Sequence, residues 1–348
     1  MVRSELLVGT TIAGRYRVTG ILGTGGMGTV YDAEQIEIRR PVAIKVLHSG
    51  RAQKKNAIKR FQREARLASS LGLPEVVEVY DVGTLVTGEP YFVMERLEGE
   101  TLRQRMVRDI QMPMGIAIAV ICQVLAVLGA AHARGVIHRD IKPENIFLLH
   151  TSKRTEKPRV KLIDFGVAKF LAPIFPMNAH DPDTTALTAT GIVVGTPWYV
   201  APEQARGAKN VDGRADLWAC GVIFYEMVAG RRPFETREML PASTLRPGVP
   251  HDFDAIINQV LRKDPDHRFQ TAWELLQTIE AFWDFHETTA VDAPVKLEKL
   301  PFAEPDSTST TEAKFESVDI PIFVTQDGKT MTDEWMVETL PTINKEKE

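Results

Sequence analysis

Alternation of apolar and polar residues dominates the first third of the chain and predicts a small sheet. Five strands are predicted, at 15–18, 29–33, 42–46, 76–81 and 91–94. Between the third and fourth of them, residues 56–67 place Ile58, Phe61 and Leu67 at helical spacing. The pattern therefore predicts one helix inserted into a sheet.

Two long apolar segments further along the chain predict buried helices. Met114–Ala131 is apolar apart from Gln123 and is long enough to be a candidate transmembrane helix. Only six residues lie between its end and His138, however. A membrane span there would separate the polar motif that begins at His138 from the glycine-rich motif at 23–28, and the two motifs, described below, must meet. We therefore expect a helix buried on every face. Asp216–Met227 predicts a second, mostly apolar helix.

Composition favours a soluble, reduced protein of roughly two domain-sized units. The chain has 348 residues and 44% hydrophobic content. Its two cysteines, Cys122 and Cys220, lie far apart in apolar runs, which predicts buried thiols and a reducing, cytoplasmic location. The first residues, MVRSELLVGTT, lack a long apolar stretch, so we expect no secretory signal.

Charge is unevenly distributed along the chain. The net charge is −4, and from His286 onward there are 14 acidic and 6 basic residues. Residues 286–348 are therefore expected to form an acidic, disordered tail, although the apolar Ile320–Val324 patch could instead dock on this chain or on a partner. The charge is far from that of a dedicated nucleic-acid-binding protein, so no nucleic-acid partner is expected.

A glycine-rich motif, Gly23-Thr24-Gly25-Gly26-Met27-Gly28, lies between the first two predicted strands. The spacing alone also occurs in dinucleotide-binding folds, where the third glycine opens a helix. Here a β-branched, alternating run follows, so we place the glycines at the tip of a hairpin. Backbone amides there can close over a triphosphate.

Lys45 lies near the end of the third predicted strand, in the sequence V-A-I-K. A lysine in such a position could be a solvated edge residue, but its spacing after the glycine motif favours phosphate binding. Between Val46 and Pro74 the sequence has one acidic residue, Glu64, on the predicted helix. We therefore predict a Lys45–Glu64 ion pair.

The strongest chemical signal is a pair of polar motifs between 137 and 166. His138-Arg139-Asp140-Ile141-Lys142-Pro143-Glu144-Asn145 is followed by Asp164-Phe165-Gly166. Asp140 can accept a proton from a hydroxyl, Lys142 adds positive charge beside it, and Asn145 and Asp164 offer the oxygen ligands that Mg²⁺ prefers. This combination is equipment for phosphoryl transfer.

In order and spacing these motifs resemble those of the eukaryotic-type (Hanks-type) bacterial Ser/Thr protein kinases. The resemblance implies an α+β, bilobal protein-kinase fold, with a small antiparallel sheet and one main helix in the N-lobe and a larger, mostly helical C-lobe. The expected divisions are an N-terminal extension at 1–15, a kinase domain at 16–285 (N-lobe 16–94, hinge 95–99, C-lobe 100–285) and the tail at 286–348.

The resemblance also implies transfer of the ATP γ-phosphoryl group to Ser/Thr hydroxyls of protein substrates, including this chain's own activation segment. The catalytic residues would be Asp140, Lys142, Lys45 and Glu64. Mg²⁺, with Mn²⁺ as an alternative, would bind Asn145 and Asp164. The nucleotide would contact Leu22, Gly23, Gly25, Gly28, Val30, Ala43, Lys45, Met94, Glu95, Leu97, Asn145 and Asp164.

Further roles follow from the same resemblance. His138 would pack rather than transfer protons, Arg139 would receive a phosphate, and Asp216 would anchor the catalytic loop. Thr196 would contact the catalytic aspartate, and Arg268 would pair with Glu203. Phosphorylation is expected at Thr188 or Thr190, which lie in a long proline-rich activation segment.

One departure from the family lies between Phe234 and Leu245, where only about ten residues replace a longer segment with a helix. The loss leaves room for a pseudokinase or scaffold, although every residue expected to bind ATP or metal is intact. A small-molecule kinase is a third reading, disfavoured by Ala201-Pro202-Glu203. A homodimer through the smaller lobes is expected by resemblance.

Overall fold

The structure, a computed structural model, describes residues 7–25, 28–48, 71–150, 157–164, 198–207, 211–235 and 238–286. The chain divides into two compact units, residues 1–304 and 305–348. Every described residue belongs to the first unit. The predicted helix at 56–67, the middle of the activation segment and the acidic tail lie outside the described residues.

Nine strands in the described ranges form two antiparallel sheets, in the orders β1-β2-β3-β4-β6-β5 and β7-β8-β9. Their bounds are β1 Thr11–Ile12, β2 Tyr16–Thr24, β3 Gly28–Gln35, β4 Arg40–Leu47, β5 Val79–Thr84, β6 Pro90–Glu95, β7 Gly99–Thr101, β8 Ile146–Leu149 and β9 Val160–Leu162.

The larger sheet contains the five predicted strands, with altered ends. Val42 to Leu47 of β4 are all buried, which agrees with the continuous apolar run of a central strand. The predicted strand at 76–81 begins only at Val79, and Val76 makes an isolated bridge with Leu162 instead. β1, inside the predicted N-terminal extension, pairs with β2 and so belongs to this sheet.

The described helices build the C-lobe. They are α1 Leu102–Arg108, α2 Met114–His132, α3 Pro202–Ala205, α4 Arg214–Ala229, α5 Ala242–Leu245, α6 His251–Val260 and α7 Ala272–His286, with 3-10 turns at Pro143–Asn145 and Pro265–His267. Together with the antiparallel sheet they confirm the predicted two-lobed α+β architecture.

The apolar helix α2 lies in the centre of the C-lobe core, as predicted. It has the length and hydropathy of a membrane span, but 89% of its most apolar window is buried inside the protein. Near its middle, Gln123 donates to the carbonyl oxygens of Ala119 and Pro158 and accepts from the amide of Val160, at 2.8, 2.9 and 3.1 Å. Gln123 thereby ties α2 to the start of β9.

Local sequence signals explain where several helices begin and end. Thr101 and Gln104 form a capping box at the start of α1. Gly230 ends α4 in a left-handed conformation, with φ 76°. After Phe234, the described residues contain one helical turn, α5, before α6. The helix expected of the family in this region is therefore shortened in the residues that the structure describes.

Candidate active site

The catalytic loop folds back on Asp140. Lys142 Nζ lies 2.8 Å from Asp140 Oδ2, and Asn145 Nδ2 donates to the Asp140 carbonyl oxygen at 2.8 Å and to its carboxylate at 3.3 Å. The 3-10 turn at Pro143–Asn145 brings the amide of Asn145 back under the aspartate. One short segment thus joins a carboxylate, an ammonium group and an amide oxygen.

Asp216 binds the backbone of this loop through its carboxylate. It lies in the first turn of α4 and is 1% exposed. Its carboxylate accepts the backbone N–H groups of His138 and Arg139 at 2.9 and 2.7 Å and lies 2.9 Å from His132 Nε2. The N-terminal end of a helix favours a negative charge, so Asp216 is well suited to anchor the loop. The contact with His132 is one that the sequence did not indicate.

Two residues of the site have strained backbone conformations. Arg139 and Asp164 have φ values of 63° and 60°. Both lie in the left-handed region, which is unfavourable for residues other than glycine. Strained backbone conformations of this kind are common at functional sites, and they persist only where the surrounding structure holds the residue in place. At Arg139 the surrounding contacts are clear: its amide donates to Asp216, and its carbonyl oxygen accepts from Gln204 Nε2 at 3.1 Å.

His138 is fully buried, and burial lowers the pKa of its imidazole although nearby carboxylates oppose this. A neutral ring is consistent with packing and with accepting a hydrogen bond. Its Nδ1 lies 3.3 Å from the amide of Asp140. The geometry agrees with a supporting role for His138.

Lys45 reaches across from the sheet to Asp164. Lys45 Nζ lies 2.5 Å from Asp164 Oδ1 and 5.6 Å from the centre of the Phe92 ring. Asp164 follows β9, and the amide of Ile163 donates to the carbonyl oxygen of Asn145 at 2.9 Å. Glu64, the predicted partner of Lys45, lies outside the described residues, so that ion pair stays a prediction.

Strand register gathers the predicted nucleotide-binding residues on one face of the larger sheet. Val30 and Phe92 lie opposite Lys45, and Met94 lies opposite Ala43. Because side chains alternate along a strand, Ala43 and Lys45 point to the same side. These residues can therefore line one side of a nucleotide.

The described glycines of the motif lie where β2 and β3 approach their connection: Gly23 near the end of β2, Gly25 just after it and Gly28 at the start of β3. The amide of Gly25 donates to the carbonyl oxygen of Gly28 at 2.9 Å. A Cβ atom at Gly28 would lie 2.2 Å from the carbonyl oxygen of Val46, so β3 can approach β4 here only without a side chain. Leu22 is exposed beside the tip, and Gly23 has open space around it.

The predicted hinge, residues 95–99, contacts both lobes through Glu95 and Arg96. The amide of Glu95 donates to the carbonyl oxygen of Glu78 at 2.9 Å, and its carboxylate pairs with Lys161 of β9. Arg96 Nε lies 2.7 Å from Asp32 Oδ1 of β3. Hydrogen bonding to Asp32 raises the pKa of Arg96. Leu97 lies between Arg96 and β7, where the adenine edge was expected.

The predicted pair of Arg268 and Glu203 is present and has two hydrogen bonds, at 2.7 and 2.8 Å. The Arg268 side chain is 0% exposed. Beside it, Gln204 accepts from the amide of Ala201 at 3.1 Å and donates to Arg139. Gln204 thus links the Ala-Pro-Glu segment to the catalytic loop, a function that sequence reasoning missed.

The donor set fits a divalent cation held together with phosphates. No group of three or more His, Cys, Asp and Glu side chains among the described residues could hold a metal ion. Mg²⁺ is usually bound by one or two carboxylates, with phosphates and waters completing its coordination. Asp164 and Asn145 supply this kind of partial oxygen set. Thr188, Thr190 and Thr196 lie outside the described residues.

Comparison with known proteins places the chain in a family. The protein kinase domain family matches residues 16–279. Serine/threonine-protein kinase PknB of Mycobacterium leprae is 38% identical over 279 residues, covering 76% of this chain and 42% of the relative. Serine/threonine-protein kinase pkn3 of Myxococcus xanthus is 38% identical over 275 residues, covering 75% and 48%. PrkC of Bacillus subtilis is 34% identical over 291 residues, covering 80% and 42%.

A solved structure has the same fold. The crystal structure of the Mycobacterium tuberculosis PknI kinase domain aligns with a TM-score of 0.60 and 29% identity, covering 78% of this chain and 98% of that one. The chain spans less than half of the length of the curated relatives named above. Its sequence match, its relatives and its fold agree: the chain belongs to the protein kinase domain family, among the bacterial Hanks-type serine/threonine kinases.

Proposed function

We propose that this chain is a protein Ser/Thr kinase that transfers the γ-phosphoryl group of ATP to protein hydroxyls. The observation that carries the proposal is the assembly of Asp140, Lys142 and Asn145 in one loop, with Asp164 and Lys45 in contact beside it. Protein kinases use ATP and a divalent metal ion. We propose Mg²⁺ as that ion, with Mn²⁺ as an alternative.

Each residue has a defined part in this proposal. Asp140 orients the substrate hydroxyl and accepts its proton, and the ammonium group of Lys142 offsets the negative charge that gathers there. Lys45 binds nucleotide phosphates. Asn145 and Asp164 hold the divalent ion, which neutralises charge on the phosphates when bound. Asp216 and His138 keep the loop in position.

Two variants test the activity. In the full chain with labelled ATP and a generic basic protein, Asp140→Asn is expected to reduce transfer about 10²–10⁴-fold if the aspartate acts as a base. Lys45→Met should abolish magnesium-dependent labelling. Asp252→Asn and Lys263→Met change an exposed carboxylate and an exposed lysine of the C-lobe and serve as matched controls. Labelling that survives Asp140→Asn unchanged would refute the assignment and favour a scaffold.

We also propose that the chain phosphorylates its own activation segment at Thr188 or Thr190. Support comes from Arg139, whose guanidinium donates to the carbonyl oxygen of Val211 at 3.1 Å next to the catalytic loop. A phosphate near this cation would order the segment. Mass spectrometry before and after phosphatase treatment tests this, and phosphate absent from both threonines in active protein contradicts it.

A cytoplasmic location and a homodimer complete the proposal. Cys122 and Cys220 are both buried, and burial raises the pKa of each thiol, which suits a reducing compartment. Fractionation of cells and sedimentation of the purified chain would test the two statements separately. Recovery of the protein in the membrane fraction would contradict a cytoplasmic location. A monomer at micromolar concentration would contradict the homodimer.

A further inference from the structure

The backbone of the catalytic loop accepts a hydrogen bond from a side chain of the short helix α3. Gln204 donates from Nε2 to the carbonyl oxygen of Arg139 at 3.1 Å, and its Oε1 accepts from the amide of Ala201 at 3.1 Å. A backbone amide can only donate and a carbonyl oxygen can only accept, so these two contacts define which end of the Gln204 side chain faces the loop. Gln204 is 7% exposed, so both hydrogen bonds are made away from bulk water.

The accepting oxygen belongs to the peptide group that leads into the proposed base, Asp140. The carbonyl group of Arg139 and the amide of Asp140 lie in one planar unit, because rotation about the peptide bond is strongly hindered. On the amide side of this unit, the Asp140 N–H donates to His138 Nδ1 at 3.3 Å, which is long for such a bond. On the carbonyl side, Gln204 donates at 3.1 Å. The orientation of the unit therefore depends on Gln204.

The residue before Asp140 has a strained backbone that needs such support. The φ of Arg139 is 63°, which is unfavourable for an arginine. Asp216 binds the N–H group of Arg139 and Gln204 binds its carbonyl oxygen. A strained conformation persists only where the surrounding structure over-determines it. We therefore expect the peptide unit between Arg139 and Asp140 to rotate when Gln204 no longer binds it.

Resting on the proposed kinase activity, we propose that Gln204 is a positioning residue for Asp140. It acts through the peptide unit that joins Arg139 to Asp140, and this role requires no contact with the substrate or the nucleotide. Because Gln204 also binds the amide of Ala201, one side chain joins the Ala-Pro-Glu segment to the proposed base. Displacement of that segment from the loop would also turn Asp140 away from the substrate hydroxyl, so the segment and the base become competent for transfer together.

The alternative is that Gln204 only stabilises the start of α3. It is the third residue of that helix, a position from which glutamine or glutamate commonly binds the amide of the N-cap residue. Glutamate serves that purpose as well as glutamine does. The two explanations therefore differ for Gln204→Glu, which keeps an oxygen that can bind Ala201 but replaces the donor to Arg139 by a carboxylate oxygen.

The test measures phosphorylation of a generic basic protein by the full chain with labelled ATP. Gln204→Glu should lower kcat by about 10- to 100-fold, because a small displacement of a catalytic group is costly. Gln204→Met, which retains most of the side-chain volume but neither hydrogen bond, should have the same effect. The Kd of a fluorescent ATP analogue should be unchanged, since the substitutions act on a step after nucleotide binding. Gln259→Glu and Gln259→Met change an exposed glutamine of α6 and serve as matched controls that should retain kcat.

A second experiment tests whether the effect passes through Asp140. If Gln204 acts by orienting this carboxylate, its loss should matter little once the carboxylate is absent. Gln204→Met in the Asp140→Asn background should therefore lower the residual kcat by less than about threefold, compared with about 10- to 100-fold in the unmodified background. A residue that only stabilises the C-lobe would lower kcat by the same factor in both backgrounds. Gln204→Glu replaces the methionine variant in this comparison if the latter folds poorly.

Three results would overturn the proposal. A normal kcat in Gln204→Glu would show that only the contact with Ala201 matters. Equal losses in the two backgrounds would show that the effect does not pass through Asp140. A loss of nucleotide affinity that matches the loss of kcat would show a general disturbance of the site. Failure of the unmodified chain to label the basic protein or itself would instead refute the proposed kinase activity.

Discussion

Replacing Arg268 by methionine removes a fully buried cation and leaves the carboxylate of Glu203 without its partner. Arg268 also donates from Nε to the carbonyl oxygen of Arg262 at 2.7 Å, and to those of Arg214 and Lys263 at 3.1 and 3.2 Å. Breaking a buried ion pair on one side costs about 3–5 kcal/mol. The lost hydrogen bonds to carbonyl oxygens act in the same direction, so we expect a loss of about 4 kcal/mol.

Urea unfolding followed by fluorescence measures this loss. In a thermal experiment it corresponds to a decrease in Tm of about 7 °C, because an unfolding entropy of about 2.1 cal/mol/K per residue over residues 16–279 gives about 1.8 °C per kcal/mol. Arg108→Met, which breaks an exposed pair with Glu100, is the matched control and should cost less than about 1 kcal/mol.

A double variant tests the cause. Adding Glu203→Gln to Arg268→Met removes the unpaired charge, so the double variant should be more stable than the sum of the two single changes predicts. Additive losses, or a loss below about 1 kcal/mol for Arg268→Met, would refute the argument that the buried ion pair stabilises this region.

Three further predictions rest on single positions. Gly28→Ala should lower the free energy of unfolding, measured in urea, by about 1–3 kcal/mol, because the new Cβ would meet a backbone carbonyl group of the neighbouring strand. Gly23 has open space around it, so Gly23→Ala should change this free energy by less than about 0.5 kcal/mol. Because burial lowers the pKa of His138 below its ordinary 6.5, the unfolded chain takes up a proton first as pH falls. The contribution of His138 to the unfolding free energy is therefore complete above pH 6.5 and declines below it by up to about 1.4 kcal/mol per pH unit. His138→Asn should flatten the dependence of unfolding free energy on pH between 7.5 and 5.5. An unchanged slope would contradict this. Thr101→Ala should cost about 1 kcal/mol through loss of the capping box, while Thr278→Ala, within α7, should not, as thermal unfolding would show.

Much of the fold could be predicted from periodicity because its elements are defined locally. The run Met114–Ala131 identifies α2 within one residue, and Asp216–Met227 identifies α4 within two at each end. The short strands β8 and β9 were missed. Their few residues carry no alternation long enough to distinguish them from a loop. They are strands because β8 pairs with β7 on one side and with β9 on the other.

The site was predicted from motifs to the extent that its contacts lie within one motif or follow from the family resemblance. The Asp140–Lys142–Asn145 cluster and the pair of Arg268 and Glu203 are of this kind. The contacts of Lys45 with Asp164 and of Arg103 with Glu226 join residues more than one hundred positions apart. Nothing in hydrophobic spacing specifies which distant polar side chains will meet, because their partners depend on tertiary packing.

Gln123 has a consequence for how the centre of the C-lobe is aligned. A helix that is apolar on every side has no preferred face, so hydrophobic burial alone leaves its rotation about its own axis poorly defined. Gln123 removes this freedom, because only one rotation lets its amide reach both Pro158 and Val160. Since Val160 begins the strand that leads to Asp164, the uncharged side chain of Gln123 fixes the angular register between the core helix and that strand.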